Sequence, residues 1–264
     1  MKIYLTDRNA LAYFEEKATP EFWDEHWKIN VLRKYVLSCT SDGIFIPCVK
    51  KYLPRGSRVL EGGCAQGQLV NALRCQGYKP IGVDFAQQTV AKVNEGVPEL
   101  DVRVADVRNL PFEDNEFDGY ISVGVIEHFW GGYYSILSEM RRTIKKGGFL
   151  FVSFPYLSPV RKLKIRVRSY SHRSSVEVLR DKDSFYQFAL DWQSVSRDFE
   201  EFGFSVKQMR PFNGIKGFKD ELTWFKPFLQ PIYDGKVLQT LRPFMDRLFR
   251  LVASHCALLV MQKM

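Results

Sequence analysis

The sequence predicts an α/β protein built on an open, doubly wound, largely parallel sheet with crossover helices. Short apolar runs alternate with helix-compatible stretches from about Arg58 to Met209, the pattern of successive strand–helix–strand units. A turn of small residues separates the first of these runs from its helix. The length of 264 residues gives one domain of about 200 residues plus elaborations, with room for a sizeable core. At 45% hydrophobic and 26% charged, the chain lies outside the disordered, collagenous and coiled-coil classes. No apolar run approaches the roughly 18 residues of a membrane span, and the first eight residues hold no stretch of signal-peptide length, so a cytoplasmic location is expected.

The strand candidates are Arg58 to Glu61, Lys79 to Val83, Leu100 to Val104, Phe117 to Val125 and Gly148 to Phe154, each a short apolar run closed by a turn or cap signal. Helical patterns fill the spaces at Gln68 to Gln76, Ala86 to Asn94 and Tyr133 to Ile144. The last ends in Lys145-Lys146-Gly147-Gly148, two cations for the helix dipole followed by glycine for a left-handed cap. Upstream, Thr19-Pro20-Glu21 reads as N-cap, first-turn proline and first-turn acid of a helix running to about Leu37, with Trp23, Trp27, Val31 and Lys34 on one face. Residues 1–50 are thus expected to form a helical lid ahead of a core domain, 51–264. Insertions are expected at about 158–183, after the fifth strand, and at about 211–253, after a sixth strand at Gly203 to Met209. A short strand and a helix are read in 184–202, and Cys256 to Met261 reads as a last strand.

Charge and cysteine narrow the class further. Of the formal +8, the segment Ser158 to Arg180 carries seven cations (Arg161, Lys162, Lys164, Arg166, Arg168, Arg173, Arg180) against Glu177, a balance of 7 − 1 = +6. The five cysteines, Cys39, Cys48, Cys64, Cys75 and Cys256, are odd in number and never spaced as CxxC. This argues against a disulfide framework and a structural zinc, and they read as reduced thiols; no metal is expected.

The chemistry concentrates in Arg58-Val59-Leu60-Glu61-Gly62-Gly63-Cys64-Ala65-Gln66-Gly67-Gln68. In an open parallel sheet the first strand-to-helix turn lies at the carboxyl edge, where ligands bind. A dinucleotide fingerprint needs glycines at relative positions one, three and six. Counting from Gly62 puts Cys64 at the third position, and counting from Gly63 puts Gln68 at the sixth, so a nicotinamide dinucleotide is disfavoured.

What remains, Glu61 followed by Gly63, Ala65 and Gly67, resembles the first motif of the class I S-adenosylmethionine-dependent methyltransferases, with one Ala for Gly. Ile81-Gly82-Val83-Asp84-Phe85 resembles the second motif, and Val104-Ala105-Asp106-Val107 before Leu110-Pro111-Phe112 the third. Phe117 through His128 and Leu137 through Gly148 are similar to the family's fourth strand with its Glu-His pair and to its approach to the fifth strand. The resemblance covers about residues 50–155 and, more loosely, 184–209. It implies a Rossmann-like, seven-stranded fold and S-adenosyl-L-methionine as cofactor. By this likeness Glu61, Gly62, Gly63, Cys64, Ala65, Gly67 and Gln68 line the amino acid half, with Ser122 and Gly124 nearby. Asp106 accepts from the adenine amino group between Val107 and Phe85. Asp84, 23 residues after Glu61, stands near the roughly 20-residue offset from which an acid reaches a ribose diol.

Several residues carry two readings. His128 is a general base for the methyl acceptor, or it orders the cofactor pocket together with Glu127. Cys64 has no assigned base nearby and reads as a small packing residue. Trp23 and Trp27, with Tyr13 and Phe14, are core, or a lid closing over the acceptor. Lys162 to Arg168 alternates strictly: as a strand it presents one basic face, whereas as a helix it spreads its charge. Lys164 and Arg166, with Tyr156, are candidates for holding an anionic acceptor, and an acidic lipid surface also fits, as does a merely solvated face. The expected acceptor is a small or lipid-linked molecule methylated on oxygen or nitrogen. RNA or protein on the basic segment is the alternative, nucleic acid being less favoured without a recognised RNA-binding module, and a non-catalytic scaffold is a third reading.

Overall fold

The computed structural model describes residues 1–26, 43–234 and 240–264. Eleven strands are described. They are β1 (Lys2–Leu5), β2 (Ala10–Phe14), β3 (Arg58–Gly62), β4 (Lys79–Asp84), β5 (Val102–Val104), β6 (Phe117–Val123), β7 (Ile144–Pro155), β8 (Ser171–Arg173), β9 (Phe185–Ala189), β10 (Phe204–Phe212) and β11 (Cys256–Lys263). The α-helices are α1 (Pro20–His26), α2 (Phe45–Tyr52), α3 (Gln68–Cys75), α4 (Gln87–Gly96), α5 (Tyr134–Thr143), α6 (Pro159–Arg166), α7 (Trp192–Glu201), α8 (Gly214–Glu221), α9 (Lys226–Tyr233) and α10 (Leu241–Ala253).

Seven strands form one sheet in the order β10-β11-β7-β6-β3-β4-β5, the arrangement expected for the Rossmann-like fold. β3 pairs in parallel with both β4 and β6, and β4 with β5, so the order reverses beside β3. That reversal opens the crevice at the strand tips where a ligand enters. Each central strand is buried on both faces: Val59, Leu60, Ile81, Val83, Tyr120 and Ile121 are all core. Under the β3–α3 bend, Cys64, Val70, Val90, Val93, Val97, Leu100 and Val102 make a cluster of their own.

The chain divides into two compact units. One comprises residues 18–152, 197–208 and 259–264; the other comprises 1–17, 153–196 and 209–258. In the second unit the first seventeen residues are not helical: β1 and β2 form an antiparallel hairpin within the sheet β8-β1-β2-β9. Tyr13 and Phe14 are buried there as strand residues.

Two local readings change and one open reading is decided. Helix α5 stops at Thr143, and the two lysines and two glycines lie inside β7, where Gly147 has φ +79° and Lys145 pairs with Asp118 at 2.6 Å. Lys162 to Arg166 is helical. Ser158 caps α6 by accepting from the Arg161 amide, and Pro159 sits in its first turn, so these end signals override the alternating pattern. Cys75 is disulfide-bonded, which corrects the reading of five reduced thiols; Cys48, Cys64 and Cys256 are free. Thr19 does cap α1, accepting from the Phe22 amide at 3.2 Å. Trp27, Val31, Lys34 and the rest of that expected helix lie outside the described residues. No described helix is long and apolar enough to cross a membrane.

Candidate active site

β3 runs into a bend whose backbone is left-handed at Gly63, Ala65 and Gly67, with φ of +77°, +48° and +74°. A Cβ on Gly62 would lie 2.1 Å from the Tyr120 hydroxyl, and one on Gly63 would lie 2.5 Å from Val125, so both positions require glycine. The bend satisfies four of its own amides. Gly63 and Cys64 donate to the Val83 carbonyl (2.8 and 3.0 Å), Ala65 donates to Asp84 Oδ2 (2.9 Å), and Gly67 donates to the Cys64 carbonyl (2.8 Å). A phosphate nest needs free amides converging on an anion, and these four already have acceptors. The missing glycine spacing and the occupied amides therefore agree in disfavouring pyrophosphate. Cys64 turns into the core against Gly82, and burial pushes its thiol pKa well up.

Asp84 closes β4 and holds two loops at once: Oδ2 accepts from Ala65 and Oδ1 from Ala86, each at 2.9 Å. Burial raises its pKa, and these backbone donors oppose the rise. A carboxylate offers about four acceptor positions, so each oxygen keeps one for a ribose hydroxyl. Glu61 is buried at the tip of β3. Glu127 is buried on the short 3₁₀ turn Ile126–His128; its Oε2 meets no hydrogen-bond donor among the described residues, and burial pushes its pKa up to about 8. The Ser122 hydroxyl, buried at the end of β6, likewise finds no partner among the described residues. Gly124, with φ +68°, lies between them in sequence. Phe85 is half-buried and Val107 buried. Asp106 differs from expectation in being engaged already: Arg108 Nε reaches both its oxygens at 3.0 Å and Nη2 reaches Oδ2 at 2.5 Å. An adenine amino group would share that carboxylate with a guanidinium.

Helix α1 is fastened at this edge by a residue that sequence reasoning missed. Asp24 Oδ1 accepts from the Thr89 amide (2.7 Å) and hydroxyl (2.8 Å), capping α4, whose own N-cap residue, Ala86, has no polar side chain. The only signal in the sequence was an acid in α1 and a helix start with no cap of its own. This clasp carries Trp23 to His128, whose rings meet edge to face with centroids 5.2 Å apart. A second missed pair fixes the loop after Asp106. Glu139 accepts from the Leu110 amide (2.7 Å), while Arg142 donates to the carbonyls of Leu110 (3.0 Å) and Phe112 (2.6 Å).

Residues 60–152 match the methyltransferase domain family described as "Methyltransf_11: Methyltransferase domain". Residues 60–152 carry a methyltransferase domain of the class I S-adenosylmethionine-dependent kind. This family's methyl donor is S-adenosyl-L-methionine. A protein of Mycolicibacterium smegmatis named a probable S-adenosylmethionine-dependent methyltransferase is 34% identical over 100 residues, 38% of each chain. The phthiotriol/phenolphthiotriol dimycocerosates methyltransferase 1 of Mycobacterium ulcerans is 28% identical over 160 residues, 51% of this chain and 59% of that one. Among solved structures, the PH0226 protein of Pyrococcus horikoshii superposes with a TM-score of 0.56 at 18% identity, covering 91% of this chain and 99% of that chain, a likeness of fold. The matches to the mycobacterial proteins named probable methyltransferases span little more than a third of those proteins.

The remaining expected contacts, Tyr156, Lys164 and Arg166, fall in the other unit. Tyr156 is buried, its hydroxyl pKa pushed up to about 12 by burial, and its carbonyl accepts from Arg161 Nη1 at 2.8 Å. Lys164 is engaged by Glu221 (3.1 Å), Lys162 by Asp191 (2.7 Å), and Arg161 is fully buried against Glu221 (3.0 Å). Arg166 is exposed. The described residues contain no cluster of three or more His, Cys, Asp or Glu able to hold a metal.

Proposed function

We propose that this chain transfers a methyl group from S-adenosyl-L-methionine to an oxygen or nitrogen of a small or lipid-linked acceptor. The observation that carries the reading is a tight bend with its amides already satisfied, set among buried carboxylates. Such a site suits an adenosine ligand bearing a cation and no phosphate. The unpartnered Glu127 Oε2 fits that ligand. When bound, the cofactor supplies an electrophilic methyl on a sulfonium.

The chain's own residues then bind, orient and exclude water. Gly63, Ala65 and Gly67 let the backbone approach closely, and Glu61 lines the amino acid half. Asp84 accepts from the ribose diol, and Asp106 accepts from the adenine amino group beside Val107 and Phe85. Trp23, held by Asp24, walls off the side on which His128 stands, and His128 takes the proton from the acceptor's nucleophile. A lipid-linked acceptor accords with the relative whose name specifies dimycocerosates. RNA or protein on residues 161–180 is weaker, because three of that segment's seven cations are engaged within the chain.

Titration calorimetry with S-adenosylhomocysteine tests the reading. Wild type should bind, and Asp84→Asn, which keeps one oxygen acceptor but removes the charge, should weaken binding by about 10- to 100-fold, the scale of a charged hydrogen bond. Absence of binding by wild type, or full affinity in Asp84→Asn, defeats it. Asp84→Ala is the poorer test, since it also frees the Ala65 and Ala86 amides.

A further inference from the structure

The unit that contains β1 and β2 exposes an apolar surface that the methyl-transfer reading does not use. Seven of the fifteen large apolar side chains exposed among the described residues fall between Trp224 and Val252. On α10, Leu241, Phe244, Leu248, Leu251 and Val252 recur at intervals of three, four, three and one, which places them along one stripe of the helix. Phe244 is 64% exposed, Leu248 57% and Leu251 71%. The opposite stripe is the buried one. Phe249 stacks on Phe218 of α8 with centroids 4.0 Å apart, Ala253 is fully buried, and Asp246 accepts from the Ile215 amide at 2.9 Å. Among the described residues the helix is therefore docked by one face and exposed on the other. Trp224 and Phe228, 73% and 74% exposed, extend the apolar surface: Trp224 packs on Phe225, and Phe225 on Phe218, so the tryptophan belongs to the aromatic cluster that seats α10.

Charge says what covers this face. α10 carries Arg242, Arg247 and Arg250 against Asp246 alone, 3 − 1 = +2, and Asp246 is turned to the Ile215 amide; Lys226 adds a further cation beside Trp224. Arg242 and Arg247 are exposed, and Arg247 directly precedes Leu248 on the bare side. The whole chain is at +8. Two copies meeting through this face would bring like charges together, whereas an anionic surface attracts them. An apolar stripe of aromatic and aliphatic residues, edged with arginine and crowned by tryptophan, is the chemistry of a helix lying in the headgroup layer of a bilayer.

We infer that α10, with Trp224 and Phe228, is a peripheral membrane-docking surface that inserts its apolar stripe into anionic lipid. It relocates membrane contact from the basic segment 161–180, where Arg161, Lys162 and Lys164 are held by internal carboxylates, to residues 224–252. The inference needs neither cofactor nor acceptor, so it stands apart from methyl transfer.

Flotation of the full chain with vesicles tests it. Wild type should float with phosphatidylcholine/phosphatidylglycerol vesicles and far less with pure phosphatidylcholine. The double variant F244E/L248E should lower the bound fraction by at least about tenfold. Arg247→Glu should lower it several-fold on anionic vesicles only, each basic residue near such a surface contributing roughly a fivefold factor. Val176→Glu, an exposed apolar position in the basic segment, should bind as wild type does. All altered side chains are exposed, so circular dichroism and thermal melting should be unchanged. Failure of wild type to bind either vesicle overturns the inference, as does undiminished binding by F244E/L248E. Light scattering that shows a wild-type dimer made monomeric by F244E/L248E, with no vesicle binding, would assign the face to a second copy of the chain instead.

Discussion

Glu221 in one unit and Glu127 in the other are both shut away from solvent, yet their surroundings are opposite. Glu221 takes Arg161 and Lys2 on Oε1, each at 3.0 Å, and Lys164 on Oε2 at 3.1 Å, and it also accepts from the Tyr170 hydroxyl. Burial alone would raise its pKa, but the Arg161 and Lys2 charges outweigh that and hold it down to about 2. Glu127 meets no cation among the described residues, and burial leaves its pKa at about 8. A buried carboxylate with every acceptor position filled is a structural tie. One with an oxygen left without a partner weakens the fold and is tolerated where a cationic ligand is to be received.

The largest test of this contrast is Glu221→Gln. It leaves Arg161, Lys2 and Lys164 without their counter-charge and should cost about 3–5 kcal/mol in urea unfolding. The same chemical change at Glu127 should act in the other direction. Its folded pKa lies above the ordinary 4.5, so its carboxyl favours the fold below pH 4.5 and progressively loses that advantage as pH rises toward 8. Glu127→Gln should therefore be stabilising by about 1–3 kcal/mol at pH 8 and near neutral at pH 4, flattening stability against pH over that window. Destabilisation of similar size at both glutamates would dissolve the comparison. The smallest effect belongs to Ala65, whose φ of +48° strains its methyl. Ala65→Gly should gain less than about 1 kcal/mol in thermal unfolding, the relief of left-handed strain being partly offset by backbone entropy.

The sheet was legible because its signals are local. Glu61, Asp84 and Asp106 each close a short apolar run, and Gly62 and Gly63 stand where no side chain fits, so the strands fell within a few residues of their places. The hairpin at residues 2–14 was not legible, since its partners β8 and β9 lie about 170 residues away and such pairing leaves no mark on a short window. The basic segment admits two readings in sequence because its strict alternation and its end signals point to different elements; Ser158 and Pro159 decide for a helix. The α10 surface went unnoticed for a further reason. Apolar spacing shows that a helix has a greasy stripe but not which stripe is packed, and only Phe249 on Phe218 settles that. The Asp24–Thr89 clasp is legible only once the two helices are seen together.

The internally bonded amides of the β3–α3 bend have a consequence for competition between adenosine-bearing ligands. Adenine nucleotides share the adenosine half of S-adenosyl-L-methionine. A triphosphate tail arriving at the bend finds the Gly63, Cys64, Ala65 and Gly67 amides already bonded and the Asp84 carboxylate beside them repelling it, so the backbone itself disfavours ATP.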